Sequence, residues 1–527
     1  MTLDRSKKIN LLIFLLITFA TGITALILGK DANWDLQNYH YYNGYAFLTG
    51  RLDYDIAPAQ IQTYLNPLFD VFVYLGIKYL PAKVFGFVLG VIQGVGIWLV
   101  YLLSRFVTRG YPVKSSVLIA ILAAFAAFSG AGWFSEIGNT MGDNIVSIFV
   151  LSALLLTVSC PSPITLSNGK RILIGAGFLL GFCTGLKLVA AVYFVGFFIS
   201  LIFLMDKRQI VVQYVVLSAS FAVGMAASIG FWMVKLWEKF QSPLFPFYNK
   251  IFHSPYFEHS NFTDGRFLPK TLWQKIFYPF FFAKDPQLVS EIVFKDFRLP
   301  VLYVVISLFL LWSLTIVLLF RKELLKVLVN DNRKTYFLVS FAVISYFGWQ
   351  MMFSVYRYVI TLELLTPVVV IAVLTSIMKN QKLSGWLSTC ILFFLIVTVI
   401  PMNWGRRPWR NSYISLTASA PLAKFENSTI LMSGKKPTSY VIPFFPKSTK
   451  FVRIESALTR KPGRINKLQL EIDKAIHESQ NLKMFVTDPS DVAPAKARNV
   501  DVDLNTCDLI ETSMGDKFTL CDASVTK

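Results

Sequence analysis

The chain has 527 residues, 54% of them apolar and 16% charged, with a formal net charge of +20. An ordinary soluble domain is roughly 45–50% apolar and about 25% charged. The mean hydropathy of +0.54 and pI of about 9.6 exclude a disordered tail and a soluble nucleic-acid binder. They point to a multi-span membrane protein whose lysines and arginines set its topology. The bilayer, not nucleic acid, is the expected partner. Four histidines and five scattered cysteines argue against a metal cluster. No Walker or Rossmann glycine pattern is present, so neither a metal nor a nucleotide cofactor is expected.

A bilayer core of about 30 Å takes roughly 20 apolar residues per helix. The first such run is Leu11–Gly29, behind Arg5, Lys7 and Lys8. It is too long for a signal-peptide core and no small-residue cleavage site follows. It reads as a retained anchor with a cytoplasmic N-terminus. Further spans fall near 84–104, 116–134, 143–159, 172–186, 188–205, 210–236, 300–320, 335–355, 357–378 and 384–402, about eleven in all. The run 172–205 is too long for one span, and Lys187 near its middle suggests two short helices joined by a hairpin. Inner loops then carry Arg105, Arg109, Lys114, Lys170, Arg171, Lys207, Arg208, Arg321, Lys322, Lys326, Arg333, Lys334, Lys379 and Lys382. The outer loop 135–142 has no Lys or Arg. This positive-inside asymmetry, with an odd span count, places the C-terminal tail outside.

Three outer segments leave the apolar pattern: 30–83, 238–299 and the tail from 403. Within the first, 66–81 is too short to span and predicts an interfacial helix. The tail alternates β-rich runs (Thr429–Met432, Lys450–Ile454, Lys483–Thr487, Lys517–Leu520) with one helical stretch, Asn466–Ser479, and reads as a small α/β domain. The expected organisation is a helical membrane domain, 1–402, with loops 30–83, 135–142 and 238–299 forming its site, followed by an α/β domain, 403–527. Cys507 and Cys521 either pair in an oxidising compartment or stay free thiols. Cys160, Cys183 and Cys390 read as apolar packing. The basic run Arg460–Lys467 reads as a solvated surface. No internal repeat is visible, which leaves an inverted-repeat transporter without support.

Chemistry concentrates in the outer loops. The first reads Asp31-Ala-Asn33-Trp34-Asp35-Leu-Gln37-Asn38-Tyr39-His40-Tyr41-Tyr42-Asn43. On a helix, Asp31 and Asp35 share a face. Aromatic rings stack on sugar rings, and carboxylates and amides take hydroxyl hydrogen bonds; the competing reading is an aromatic interface belt with solvated acids. The second loop carries Glu136 and Asn139, then Asp143 and Asn144 at the start of a span. Asp143 either caps that helix or joins Glu136 in an acidic cleft. Lys187 and Arg357, the latter followed by Tyr358, lie at outer membrane level. Ionisable groups there are functional candidates, with a lipid phosphate as natural partner, and snorkelling to headgroups as the alternative. The third loop holds Pro246-Phe-Tyr248-Asn249, which reads either as a rigid membrane-skimming segment over a site or as an ordinary interface loop.

Together these stretches resemble the GT-C superfamily of polytopic glycosyltransferases, in its bacterial forms. The resemblance rests on Asp31 and Asp35 just after the first span, on Asn139-Thr-Met-Gly-Asp143, on Gly185-Leu-Lys187, on Pro246–Asn249 and on Arg357-Tyr358. It covers roughly 1–402. The adjacent Asp-Glu pair of protein O-mannosyltransferases and the Trp-Trp-Asp motif of oligosaccharyltransferases are absent. The resemblance implies transfer of a sugar from a polyprenyl-phosphate-linked donor to a glycan, lipid or protein acceptor at a bacterial inner membrane, with the C-terminal domain periplasmic. It implies Asp35 as general base with Asp31 as rival. Asn38, His40, Glu136, Asp143, Asn144 and Tyr248 would contact sugar or acceptor, and Lys187, Arg357 and Tyr358 the lipid phosphate. A lipid or polysaccharide transporter and an envelope-assembly scaffold are the alternatives.

Overall fold

The computed structural model describes residues 5–261, 264–378, 380–459 and 465–526. Lys379 and residues 460–464 of the basic run lie outside these, as do the side chains of Arg5, Lys7, Arg321, Lys322 and Lys326. Among the described residues, six helices are long and apolar enough to cross a membrane: Lys8–Leu28, Ala82–Val107, Leu166–Leu186, Ile210–Phe240, Arg298–Leu318 and Tyr356–Ile377. The shorter apolar helices Val113–Phe128, Asp143–Ser159, Leu188–Phe203 and Gln381–Val397, and the 20-residue Arg333–Met352, occupy the other expected spans. The architecture is that of an α-helical polytopic membrane protein with a C-terminal sheet.

The chain forms two compact units. One is Met1–Leu28, Phe87–Ser228 and Asp264–Trp404; the other is Gly29–Gly86, Ile229–Thr263 and Gly405–Lys527.

The first unit is the helical bundle. Ile360–Ile377 is buried at every position from Ile360 to Val373, as expected for a helix that is apolar all round and has other helices on every side. Leu166–Leu186 and Ile210–Met225 pack closely because the former offers Gly177, Gly181 and Gly185 on one face. A Cβ at Gly177 would stand 2.6 Å from the Leu217 carbonyl oxygen, and one at Gly181 would collide with that of Phe221. Small residues four apart admit backbone contact of this kind. The break expected near Lys187 is there: Lys187 is extended (φ −147°, ψ 105°) between Leu166–Leu186 and the turn Leu188–Ala190.

The second unit is built on a six-stranded mixed sheet. Its order is Leu416–Ala418, Val500–Thr512, Lys517–Val525, Leu482–Val486, Thr429–Met432 and Lys450–Arg453. Thr429–Met432 runs parallel to both neighbours; the other pairings are antiparallel. Helix Lys467–His477 starts at Asn466, whose side chain accepts from the Gln469 N–H at 3.0 Å. It buries Leu468, Ile472 and Ile476. All four expected strands and the expected helix are present. Cys507 and Cys521 are joined as a disulfide across the terminal hairpin.

The tail does not stand alone in this unit. Lys30–Asp31 pairs antiparallel with Arg406–Arg407. Ile56 bridges Val452 in parallel at the sheet edge. Asp55 accepts from the Phe451 N–H at 2.9 Å and holds the Arg51 guanidinium at 2.6 and 2.7 Å. Arg453, fully buried, donates to the Pro58 carbonyl at 2.8 Å. The first outer segment is thus part of the sheet's surroundings. The segment 238–299 divides, with 238–261 in this unit and 264–299 in the bundle. Helix Leu68–Tyr79 fills the place of the expected interfacial helix, with Phe72, Leu75 and Tyr79 exposed and Val73, Tyr74 and Ile77 buried.

The disulfide closes a short loop (sequence separation 14), so the chain-entropy model gives it about 3 kcal/mol. The double variant Cys507→Ala, Cys521→Ala should unfold with a loss of that order in a denaturant titration followed in the tail. An unchanged midpoint would mean the hairpin is held by its sheet alone.

Candidate functional site

In the bundle, the loop after Ala131–Ser135 carries the site. Two glycines with positive φ, Gly138 at +70° and Gly142 at +85°, let it fold back. Gln93 clamps it, donating to the Asn139 carbonyl at 3.1 Å and accepting from the Gly138 N–H at 2.6 Å. The residue capping helix Asp143–Ser159 is Gly142, and Asp143 is its first residue. Asp143 therefore does not cap. It accepts from the Lys187 ammonium at 2.6 Å, and its second oxygen is buried without a hydrogen bond among the described residues. Lys187 also donates to the Met141 carbonyl at 3.2 Å. Its ammonium lies 5.1 Å from the centre of the Tyr358 ring. The Arg357 guanidinium lies 5.3 Å from the same ring and 5.9 Å from that of Trp404.

Glu136 is fully buried, with the Asn144 backbone N–H directed at its carboxyl and no side-chain donor among the described residues. Burial, then the nearby Asp143, push its carboxyl well above the usual range, against the pull of Lys187 and Arg357. Asn144 donates to the Trp133 carbonyl at 3.1 Å and keeps a buried, unpartnered oxygen. The bundle thus gathers Glu136, Asp143, Asn144, Lys187, Arg357 and Tyr358, all six of its sequence-expected residues. Oxygens of Glu136, Asp143 and Asn144 are buried there beside two cations.

Sequence reading missed what holds this loop. Glu363, inside a span, accepts from the Gly132 and Trp133 N–H groups at 3.0 and 2.9 Å. Asp296 accepts from the Ala131 N–H at 2.8 Å and from the Arg298 guanidinium at 2.5 Å. Arg298, fully buried, also donates to Ser129 Oγ at 2.7 Å and to the Ala126 carbonyl. The available signal was Glu363 itself, an acid in an apolar run.

The second unit holds the remaining candidates. The i, i+4 spacing of Asp31 and Asp35 predicts one helical face, but Asp31 sits in a strand. Its two oxygens accept from the Asn33 amide at 2.7 and 2.8 Å, so its carboxylate is committed locally. Next to it, Lys30 is buried and donates to the Tyr413 carbonyl at 2.5 Å; burial, Arg410 and Arg407 bring it down to about 8. Asp35 leads into a π-helical turn, Leu36–His40, and makes no capping bond. Such turns are frequent at functional sites. Asn38 donates to the Ala59 carbonyl at 3.2 Å and keeps a buried free oxygen. His40 Nδ1 lies 2.5 Å from Asp70, leaving a buried Nε2 without a partner among the described residues. Asp70 is raised mainly by burial, with Asp35 adding to it. Tyr248, at φ +56°, is 43% exposed beside the cis Phe245–Pro246 bond.

No protein-family model and no curated protein matches the chain. Among solved structures it is similar to the crystal structure of ArnT from Cupriavidus metallidurans bound to undecaprenyl phosphate, at 11% identity and a TM-score of 0.48, over 97% of each chain. It is also similar to ArnT from the same organism in the apo state, at 9% identity and a TM-score of 0.43, over 98% of each chain.

Two outcomes follow from the geometry of the bundle. Arg298→Ala strands Asp296 without its cation and should cost about 3–5 kcal/mol, against about 1–3 for Glu363→Gln. Thermal unfolding in detergent reads both; equal, negligible losses would remove the network from its role. For Glu136 the sign is set by its raised pKa. Above the usual carboxyl value of 4.5 the folded chain keeps a proton that the unfolded chain releases, so stability falls as pH rises through that window. Glu136→Gln should flatten this decline in melting curves at stepped pH, and an unchanged slope would show Glu136 to be ionised.

Proposed function

We propose that the chain is a membrane glycosyltransferase that moves a sugar from a polyprenyl-phosphate-linked donor to a glycan, lipid or protein acceptor on the outer face of a bacterial inner membrane. One observation carries the reading. Buried oxygens of Glu136, Asp143 and Asn144 are short of side-chain donors among the described residues, in a bundle that also holds Lys187 against Asp143. Buried acceptors call for donors, and cations set against aromatic rings can take a phosphate. A sugar phosphate offers both, with hydroxyls for the oxygens and a phosphate for Lys187 and Arg357.

In the proposed step the acceptor oxygen attacks the anomeric carbon, the bond from that carbon to the phosphate oxygen breaks, and the lipid phosphate leaves. Its charge needs cations more than a proton, and Arg357 and Lys187 supply them. The acceptor's proton goes to a general base. We assign that role to Asp35, at the head of the π-helical turn Leu36–His40, with Asp31 as its rival. Asn38, His40 and Tyr248 are proposed to meet sugar or acceptor hydroxyls. The disulfide of the tail supports an oxidising location for it.

Mass spectra of envelope glycolipids from cells with and without the chain should differ by one sugar. Asp35→Asn should lower transfer at least about 100-fold while the protein still inserts, and Arg357→Lys about tenfold, through the loss of a two-pronged phosphate grip. Normal transfer by Asp35→Asn would remove it as the base. Lipid movement across the membrane with no change in any glycan would replace the transferase by a transporter.

A further inference from the structure

Helix Asp143–Ser159 begins at the site loop and, at 1.5 Å per residue, ends about 25 Å away. Helix Ile360–Ile377, which follows Arg357, ends in the same region, since Ser159 and Ser376 line one cavity there. That cavity has a volume of about 540 Å³. Phe106, Arg109, Arg333 and Lys334 line it as well, and no Asp or Glu is among its described lining residues. Two of the cations share one ring. The Arg109 guanidinium lies 4.7 Å from the centre of Phe106, and the Lys334 ammonium 4.5 Å.

Two bland explanations account for part of this. Helix C-termini at Val107 and Ser159 favour cations, and basic residues at this end fit the positive-inside rule. Both explain the sign of the charge. Neither explains an open cavity, nor two cations gathered on a single ring, where they repel unless an anion lies between them.

We propose that this cavity is an anion site for the phosphate of an anionic phospholipid headgroup, at the end of the bundle opposite the site loop. Arg109 can hold two phosphate oxygens in parallel, Lys334 adds a point charge and the exposed Ser159 hydroxyl a donor. The charge pattern of the loops assigns this end to the inner leaflet, where basic pockets between helices take lipid phosphates. The site is independent of the transfer reaction, and so is its test.

The full chain, purified in detergent, is titrated with phosphatidylglycerol or phosphatidylcholine and read by native mass spectrometry. The wild type should retain one phosphatidylglycerol and no phosphatidylcholine. Arg109→Gln and Lys334→Gln should each weaken retention about tenfold or more, the loss of a charged hydrogen bond. Lys207→Gln removes an exposed charge elsewhere and should leave retention unchanged. The charge-preserving Arg109→Lys with Lys334→Arg should bind, which separates a lost site from a lost fold. Equal retention by every variant would overturn the site. Binding of inorganic phosphate, abolished by the same two substitutions while no lipid is retained, would overturn the lipid assignment in favour of a soluble phosphate ester.

Discussion

A fully buried guanidinium organises the helical unit. Arg298 would be prohibitively costly in an apolar bundle if it stood alone. It is tolerated because Asp296 neutralises it and Ser129 and the Ala126 carbonyl take its remaining N–H groups. Those partners end one helix and begin the next. Asp296 in turn accepts from Ala131, and Glu363 from Gly132 and Trp133. Three consecutive N–H groups at the start of Ala131–Ser135, which would otherwise be orphaned, are thus claimed by two carboxylates. Glu136 follows at the end of that turn. The placement of the site loop is a consequence of satisfying one arginine.

This divides the acids of the chain by what their oxygens do. Asp296, Glu363, Asp31 and Asp55 are committed to protein donors. Glu136 and one oxygen of Asp143 have no side-chain donor among the described residues. A buried carboxylate with several donors is structural, and one short of donors carries a desolvation cost. The Lys187 ammonium is held by Asp143 and faces an aromatic ring.

Much of this was legible in the residues because each signal was local. A bilayer-length apolar window marks a helix without knowledge of its neighbours, and Lys187 interrupts such a window at the observed break. Alternating short runs in the tail gave all four expected strands. Other features depend on contacts that no local pattern records. Asp143 has the residue type of a cap, but Gly142 can adopt the positive φ that the turn needs and takes the position. The i, i+4 spacing of Asp31 and Asp35 means nothing once Asp31 pairs with Arg406, a partner far away in sequence. The joining of 29–86 to the tail rests on a two-residue ladder, one bridge at Ile56 and side-chain bonds such as Asp55 to Phe451 and Arg453 to Pro58, none of which leaves a periodicity.

The large positive charge has no single cause, and position separates its parts. Arg298 and Arg453 are buried and saturated by protein acceptors, so they serve packing. Lys187 and Arg357 sit against aromatic faces near carboxylates short of side-chain donors among the described residues. Arg109 and Lys334 crowd one phenylalanine in a cavity without acids among its described lining. A topology signal needs only that basic residues be present at one end of the bundle, at any position in solvent. It does not require that two of them converge on a ring or that one hold a buried carboxylate. A sum of charges carries no geometry, and it is the geometry of a few of these cations that sets them apart.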